Sequence, residues 1–152
     1  MNDFDILFGY FTDSGMTTFL HSDGTLVYQT GRRFAQDDRC IRYRISPDCL
    51  RKIKELIDDR RQLLSACAAR INRGQAFAGE NYFLFDGIHI IDWDLTRWYL
   101  EEDRKKHPEY YSNSVKVELT ENHVRAVFDE ICGLIERDDK ELLYTRTVMK
   151  LN

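Results

Sequence analysis

The chain has 152 residues and a formal net charge of −4, with 43% hydrophobic, 12% aromatic and 32% charged residues. This length predicts one domain over residues 1–152, and the many aromatic residues argue against intrinsic disorder. No apolar run approaches the roughly 18 residues that a membrane span needs, and the first residues lack the features of a secretory signal. We therefore expect a cytoplasmic protein without a membrane partner.

The first 45 residues are predicted to form β-strands. Aromatic and β-branched residues mark three of them, over residues 4–12, 16–21 and 25–30. A three-residue turn ending in Gly24 joins the second and third. From Arg39 to Ile45 the residues alternate between apolar and charged, which is typical of a half-buried antiparallel strand with Arg42 and Arg44 on its outer face.

A long helix is predicted to follow. The segment Ser46-Pro47-Asp48 supplies a cap, a first-turn proline and an acid that suits the helix dipole. Gly74 would stop the helix, which would then have about 26 residues, and this length leaves a break near Arg60 and Arg61 open as an alternative. Its apolar residues recur at helical spacing: Leu50, Ile53, Ile57, Leu64, Cys67 or Ala68, and Ile71.

Residues 82–85 and 88–91 are apolar and flank Asp86-Gly87, a strong signal for a β-hairpin with a type I′ turn. Their nearly continuous apolar character predicts a central pair of strands that is covered on both faces.

The last third of the chain is predicted to alternate between helices and strands. A short helix is expected over 94–106 and a loop over 108–114, followed by a strand from Val115 to Leu119. Thr120 would then cap a second long helix that ends at Asp138-Asp139, and residues 142–149 would add a last strand. The predicted fold class is α+β, an antiparallel sheet with the two long helices packed on one face.

Two sets of side chains are candidates for catalysis. His89, Asp92 and Asp94 form the pattern H-x-x-D-x-D, and His21 lies next to a turn that contains Asp23. In a continuous strand His89 and Asp92 would face opposite sides of the sheet. A small hydrolase that uses His89 or His21 with nearby carboxylates is therefore kept only as an alternative.

The net charge conceals three blocks, which carry −4 over residues 1–31, +6 over 32–73 and −6 over 74–152. The basic block covers one strand face and the first helix, where Glu55, Asp58 and Asp59 interrupt it. A nucleic-acid-binding regulator that uses this basic helix is a second alternative, which the acidic chain as a whole disfavours.

The acidic block favours a protein partner. Residues 86–103 contain six acids and one base, with large aromatic residues among them. Aromatic side chains anchor interfaces, and acids attract a basic partner. The predicted partner-binding residues are Asp86, Asp92, Asp94, Trp98, Tyr99, Glu101, Glu102 and Asp103.

The four cysteines are Cys40, Cys49, Cys67 and Cys132. They form no CxxC pair and have no histidine at ligand spacing, so we expect reduced thiols and neither a metal nor another cofactor.

The chain resembles the small acidic α+β immunity proteins that bacteria pair with secreted toxins, such as those of contact-dependent growth inhibition. The strands around Leu20–Leu26, the entry Ile45–Leu50 into a long helix and the acidic, aromatic second half carry this resemblance. It implies a protein without catalytic activity that binds and neutralises a cognate toxin domain with a basic surface.

Overall fold

A computed structural model describes residues 5–12, 17–30, 37–73, 81–92 and 114–149. They form seven strands and two helices in an α+β fold. The elements are β1 (Ile6–Phe11), β2 (Thr17–His21), β3 (Thr25–Thr30), β4 (Asp37–Arg44), α1 (Pro47–Arg73), β5 (Tyr82–Phe85), β6 (Ile88–Ile91), α2 (Ser114–Arg137) and β7 (Glu141–Met149). None of the described helices is long and apolar enough to cross a membrane.

The strands form one antiparallel sheet in the order β6-β5-β1-β2-β3-β4-β7. The predicted hairpin of β5 and β6 is confirmed, and its turn residues Asp86 and Gly87 both have positive φ, at 42° and 87°, as a type I′ turn requires. The hairpin is not central, however. Among the described strands β6 lies at one end of the sheet, while β7 lies at the other.

One face of the sheet packs against the two helices. The core joins buried sheet residues such as Phe8, Leu20 and Phe85 to buried residues of α1 and α2. Phe128 of α2 marks the contact, since its ring lies 5.1–5.7 Å from the rings of three sheet residues, Phe8, Tyr10 and Phe83. The buried residues of α1 are among those that the helical spacing predicted: Ile53, Ile57, Leu64, Cys67 and Ile71.

Hydrogen bonds join the N-terminus of α1 to the C-terminal end of α2. Ser46 accepts a hydrogen bond from the Cys49 amide at 3.2 Å, which confirms the predicted cap. The Ser46 amide and hydroxyl donate to the two carboxylate oxygens of Asp138, at 2.8 and 2.5 Å. Lys140 donates to the Ile135 carbonyl at 3.2 Å, so it satisfies one of the last carbonyls of α2.

The break left open in α1 is not found, and one prediction about α2 is wrong. The helix α1 runs without a break through Arg60 and Arg61, because Ile57 and Leu64 keep the same buried face across that point. The residues from Val115 to Leu119 belong to the first turns of α2 rather than to a strand. Their short apolar alternation was outweighed by good helix formers such as Lys116 and Glu118.

Candidate functional site

The structure describes two of the eight predicted partner-binding residues. Asp86 lies in the β5–β6 turn and Asp92 follows β6, so Gly87 and the whole of β6, about 13 Å long, lie between them. The other six, Asp94, Trp98, Tyr99, Glu101, Glu102 and Asp103, lie outside the described residues, as does the predicted helix over 94–106.

Asp86 is exposed but already paired. Its carboxylate binds Arg61 of α1, and its carbonyl oxygen accepts a second hydrogen bond from the same guanidinium at 3.4 Å. Arg61 also contacts Asp58 at 3.1 Å, and its pKa is raised by hydrogen bonds to Asp86 and then Asp58. The contact therefore joins the hairpin to α1 and offsets much of the negative charge of Asp86.

Asp92 does not lie on the surface. It is 1% exposed, its carboxylate accepts hydrogen bonds from the Tyr10 hydroxyl and from Arg125 at 2.7 Å, and its amide donates to Asn81 at 2.8 Å. Burying a charge is costly unless it is paired, and Arg125 supplies the pairing. The sequence predicted that Asp92 binds a partner. In the structure it is instead a buried link between β1, the end of β6 and α2.

The predicted histidine–carboxylate site is not brought together by the described residues. His89 pairs with Leu84, and its ring lies 4.2 Å from that of Tyr82. Asp92 instead reaches Tyr10 on the helix-covered face, so His89 and Asp92 occupy opposite faces as the strand parity predicted. Partial burial lowers the pKa of His89.

The other candidate histidine, His21, stacks edge-on against Phe19, with 5.2 Å between the rings. Within the described ranges, no three His, Cys, Asp or Glu side chains are grouped in a way that could hold a metal ion.

The basic side chains of α1 mostly pair with acids. Arg51 contacts Asp48 and Glu55, at 2.5 and 3.1 Å, and Lys52 contacts Asp48 at 3.0 Å. Arg60 pairs with Asp59 in the same way. A nucleic acid would have to compete with these carboxylates, so the part of α1 whose side chains are described presents little uncompensated positive charge.

The outer face of α2 differs from that of α1. Asp129, Glu130 and Glu136 are exposed, and none forms an ion pair with another residue in the described part of the chain. Asp129 and Glu136 are seven residues apart, so they lie on one side of the helix about 10.5 Å from each other. Together these three residues form what we call the α2 acidic face.

A groove between the two helices adjoins this face. It has a volume of about 430 Å³ and combines apolar and charged walls. Its lining includes Leu56 and Lys52 from α1 and Leu134, Asp129, Glu130 and Arg137 from α2. At Gly133 a Cβ atom would lie 3.1 Å from the Arg137 guanidinium, so the glycine allows that side chain to lie across the helix.

Two residues of the α2 acidic face affect the pKa of Cys132. Burial first, and then the charges of Asp129 and Glu136, raise the pKa of this thiol to about 11. None of the partner-binding residues predicted from the sequence belongs to the α2 acidic face. The signal was nevertheless present, because Asp129 and Glu136 share one helical stripe opposite the apolar positions Val127 and Ile131.

In comparisons with known proteins, no family model, curated protein or solved structure matches this chain.

Proposed function

We propose that the chain is a non-catalytic binding protein that recognises a protein with a basic surface. Within that class we propose an immunity protein that binds and neutralises a cognate bacterial toxin domain. The observation that carries the binding proposal is the α2 acidic face, whose three exposed carboxylates have no ion-pair partner in the described part of the chain.

Exposed like charges on one helix face repel each other and contribute nothing to folding by themselves. The same charges attract a basic partner, since a surface of one sign raises the rate of diffusional encounter. The acidic segment predicted over residues 86–103 would extend this attraction through Glu101, Glu102 and Asp103.

In the proposed interface, the adjoining groove supplies the apolar contacts. Interfaces need apolar contacts that exclude water as well as charges that guide approach. Leu56 and Leu134 line the groove beside Asp129 and Glu130. A basic side chain with a long apolar stem suits such a mixture, because the stem packs on the leucines while its charge meets the carboxylates.

The proposal is tested by co-purification from the source cell with three tagged forms of the full chain. These are the wild type, the double variant Asp129→Lys/Glu136→Lys and the control Glu55→Lys/Asp58→Lys. Both variants change the net charge equally, but the control alters acids that are paired on α1. We expect a basic protein to be retained by the wild type and the control and lost by the α2 variant.

Equal recovery of the same protein by all three forms would contradict the role of the α2 acidic face. The immunity proposal adds a second expectation. Expression of the captured protein alone should arrest growth, and co-expression of the wild-type chain should restore it. A captured protein that is harmless when expressed alone would overturn the immunity proposal while leaving the binding proposal intact.

A further inference from the structure

The groove between α1 and α2 contains an arginine whose charge is not paired. Two bases line the groove, Lys52 of α1 and Arg137 of α2. The Lys52 ammonium lies 3.0 Å from a carboxylate oxygen of Asp48. The exposed guanidinium of Arg137 forms neither an ion pair nor a side-chain hydrogen bond with any residue that the structure describes. The groove therefore presents an uncompensated positive charge together with the carboxylates of Asp129 and Glu130.

Gly133 makes room for this guanidinium. A Cβ atom at Gly133 would lie 3.1 Å from Nη1 of Arg137, so the arginine side chain runs back across the glycine towards the start of α2. Glycine destabilises a helix interior relative to alanine. A base near the end of a helix can bind the last carbonyls, but here Lys140 donates to the Ile135 carbonyl and Arg137 lies in the groove instead. The local sequence thus places the charge of Arg137 within the groove at a cost to the helix.

This positive charge opposes the binding of an entirely basic surface. A base that approaches Asp129 and Glu130 also approaches Arg137, because Gly133 lies only three to four residues further along α2, or about 5 Å. A charge that enters an interface without a counter-charge is costly, and so are like charges placed side by side. A basic partner therefore binds favourably in this groove only where it also presents a carboxylate to Arg137.

We propose that Arg137 is a specificity-determining residue, which selects basic proteins that carry a carboxylate about 5 Å from a basic side chain. The base meets Asp129 and Glu130, and the carboxylate accepts hydrogen bonds from the planar guanidinium. Proteins that present only basic side chains to the groove are rejected, since Arg137 repels them. This inference rests on the proposed function, because it names the chemistry of the partner at the same groove.

Two probes in fluorescence anisotropy test the proposal with the full chain. The first is the protein captured by the wild type, and the second is labelled poly-L-lysine, a basic chain without side-chain carboxylates. Arg137→Ala should raise the dissociation constant of the captured protein about tenfold or more, because the partner's carboxylate loses its counter-charge. The same variant should bind poly-L-lysine about two- to fivefold more tightly than the wild type, because it removes a repulsive charge.

The matched control is Arg44→Ala. Arg44 is exposed on β4, does not line the groove and forms no ion pair with a described residue, so its loss changes the net charge equally. Both dissociation constants should stay near those of the wild type in this control. Circular dichroism checks that every variant remains folded.

Two further measurements separate recognition of a carboxylate from a merely structural role. Arg137→Lys keeps the charge without the planar fork, so it should still repel poly-L-lysine and recover only part of the affinity for the captured protein. Alanine substitution of the matching partner carboxylate should weaken binding to the wild type and have no further effect on Arg137→Ala.

The possible failures are distinguishable. Capture of no basic protein by the wild type would overturn the proposed function and this inference together. A captured protein that binds Arg137→Ala as tightly as the wild type, or that has no carboxylate coupled to Arg137, would overturn the inference alone. Equal binding of poly-L-lysine to Arg137→Ala and Arg44→Ala would do the same.

Discussion

The outer faces of α1 and α2 both carry charged residues but use them differently. On the described part of α1, four of the bases pair with acids of the same helix or of the β5–β6 turn, as in the contact between Arg61 and Asp86. On α2 the basic residue Arg125 is directed to the buried Asp92, and Asp129, Glu130 and Glu136 are left exposed.

This difference separates charges that serve the fold from charges that are available to a partner. A basic block in the sequence suggested a cationic surface, yet four of its bases on α1 pair with nearby acids. The negative charge that remains is concentrated on one helix, next to a groove with apolar walls. Net charge per block therefore did not show which acids are available to a partner.

The largest expected effect comes from substituting Asp92, the buried acid that binds both Tyr10 and Arg125. Asp92→Ala should reduce the free energy of unfolding by about 3 kcal/mol, because Arg125 and Tyr10 lose their buried partner. We place the cost at the lower end of the range for broken buried pairs since the Arg125 side chain is 34% exposed and regains water. Urea denaturation at constant m-value measures it.

The matched control is Asp129→Ala on the α2 acidic face. Its free energy of unfolding should stay within about 0.5 kcal/mol of the wild type, as for ordinary surface substitutions. Similar losses of stability in Asp92→Ala and Asp129→Ala would contradict the distinction between charges that stabilise the fold and charges that are available to a partner.

A smaller loss is expected at the junction of the two helices. Asp138→Ala removes the acceptor for both the amide and the hydroxyl of Ser46, so stability should fall by about 1–2 kcal/mol. Asp139→Ala, one residue along and exposed, should have almost no effect on the same urea transition. Equal effects of the two variants would show that the contact between Ser46 and Asp138 does not stabilise the start of α1.

The smallest expected effect is on the pKa of the Cys132 thiol, which is followed through its rate of alkylation. In Asp129→Asn/Glu136→Gln the pKa of Cys132 should fall from about 11 towards its usual 9.0, although burial keeps it above that value. The thiolate fraction at pH 8.5 then rises, and so does the rate of alkylation followed by mass spectrometry. Cys49, whose pKa of about 11 arises from burial first and then from Asp138, should react at an unchanged rate.

The same two thiols predict a direction for the pH dependence of stability. Between about pH 9 and about pH 11 the folded chain keeps protons on Cys49 and Cys132 that the unfolded chain has released. Stability should therefore fall as the pH rises through that window.

Much of the fold could be predicted because its signals are local. The strand from Thr25 to Thr30, the hairpin around Asp86-Gly87 and the helix start at Ser46 each depend on neighbouring residues, and all three are confirmed. The first turns of α2 were missed because three alternating apolar residues suit a strand and a helix equally well. The end position of β6 depends on pairing between distant strands, which local patterns do not reveal.

The candidate site was harder to predict because exposure and pairing are tertiary properties. In the sequence, Asp92 and Asp129 are both acids near aromatic or apolar residues. Only the fold brings Arg125 and Tyr10 to the first and leaves the second in solvent. Burial of Asp92 follows from contacts with residues 33 positions later and 82 positions earlier in the chain.

The central claim is that the α2 acidic face guides a basic partner to the protein. Its most direct test is the association rate constant of the captured partner with the wild type, with Asp129→Lys/Glu136→Lys and with Glu55→Lys/Asp58→Lys, measured from low to high salt. We predict that the α2 variant associates about tenfold more slowly at low salt, while the α1 control stays near the wild type and the difference shrinks as salt screens the charges. Equal rates and equal salt dependence for the two variants would contradict the account.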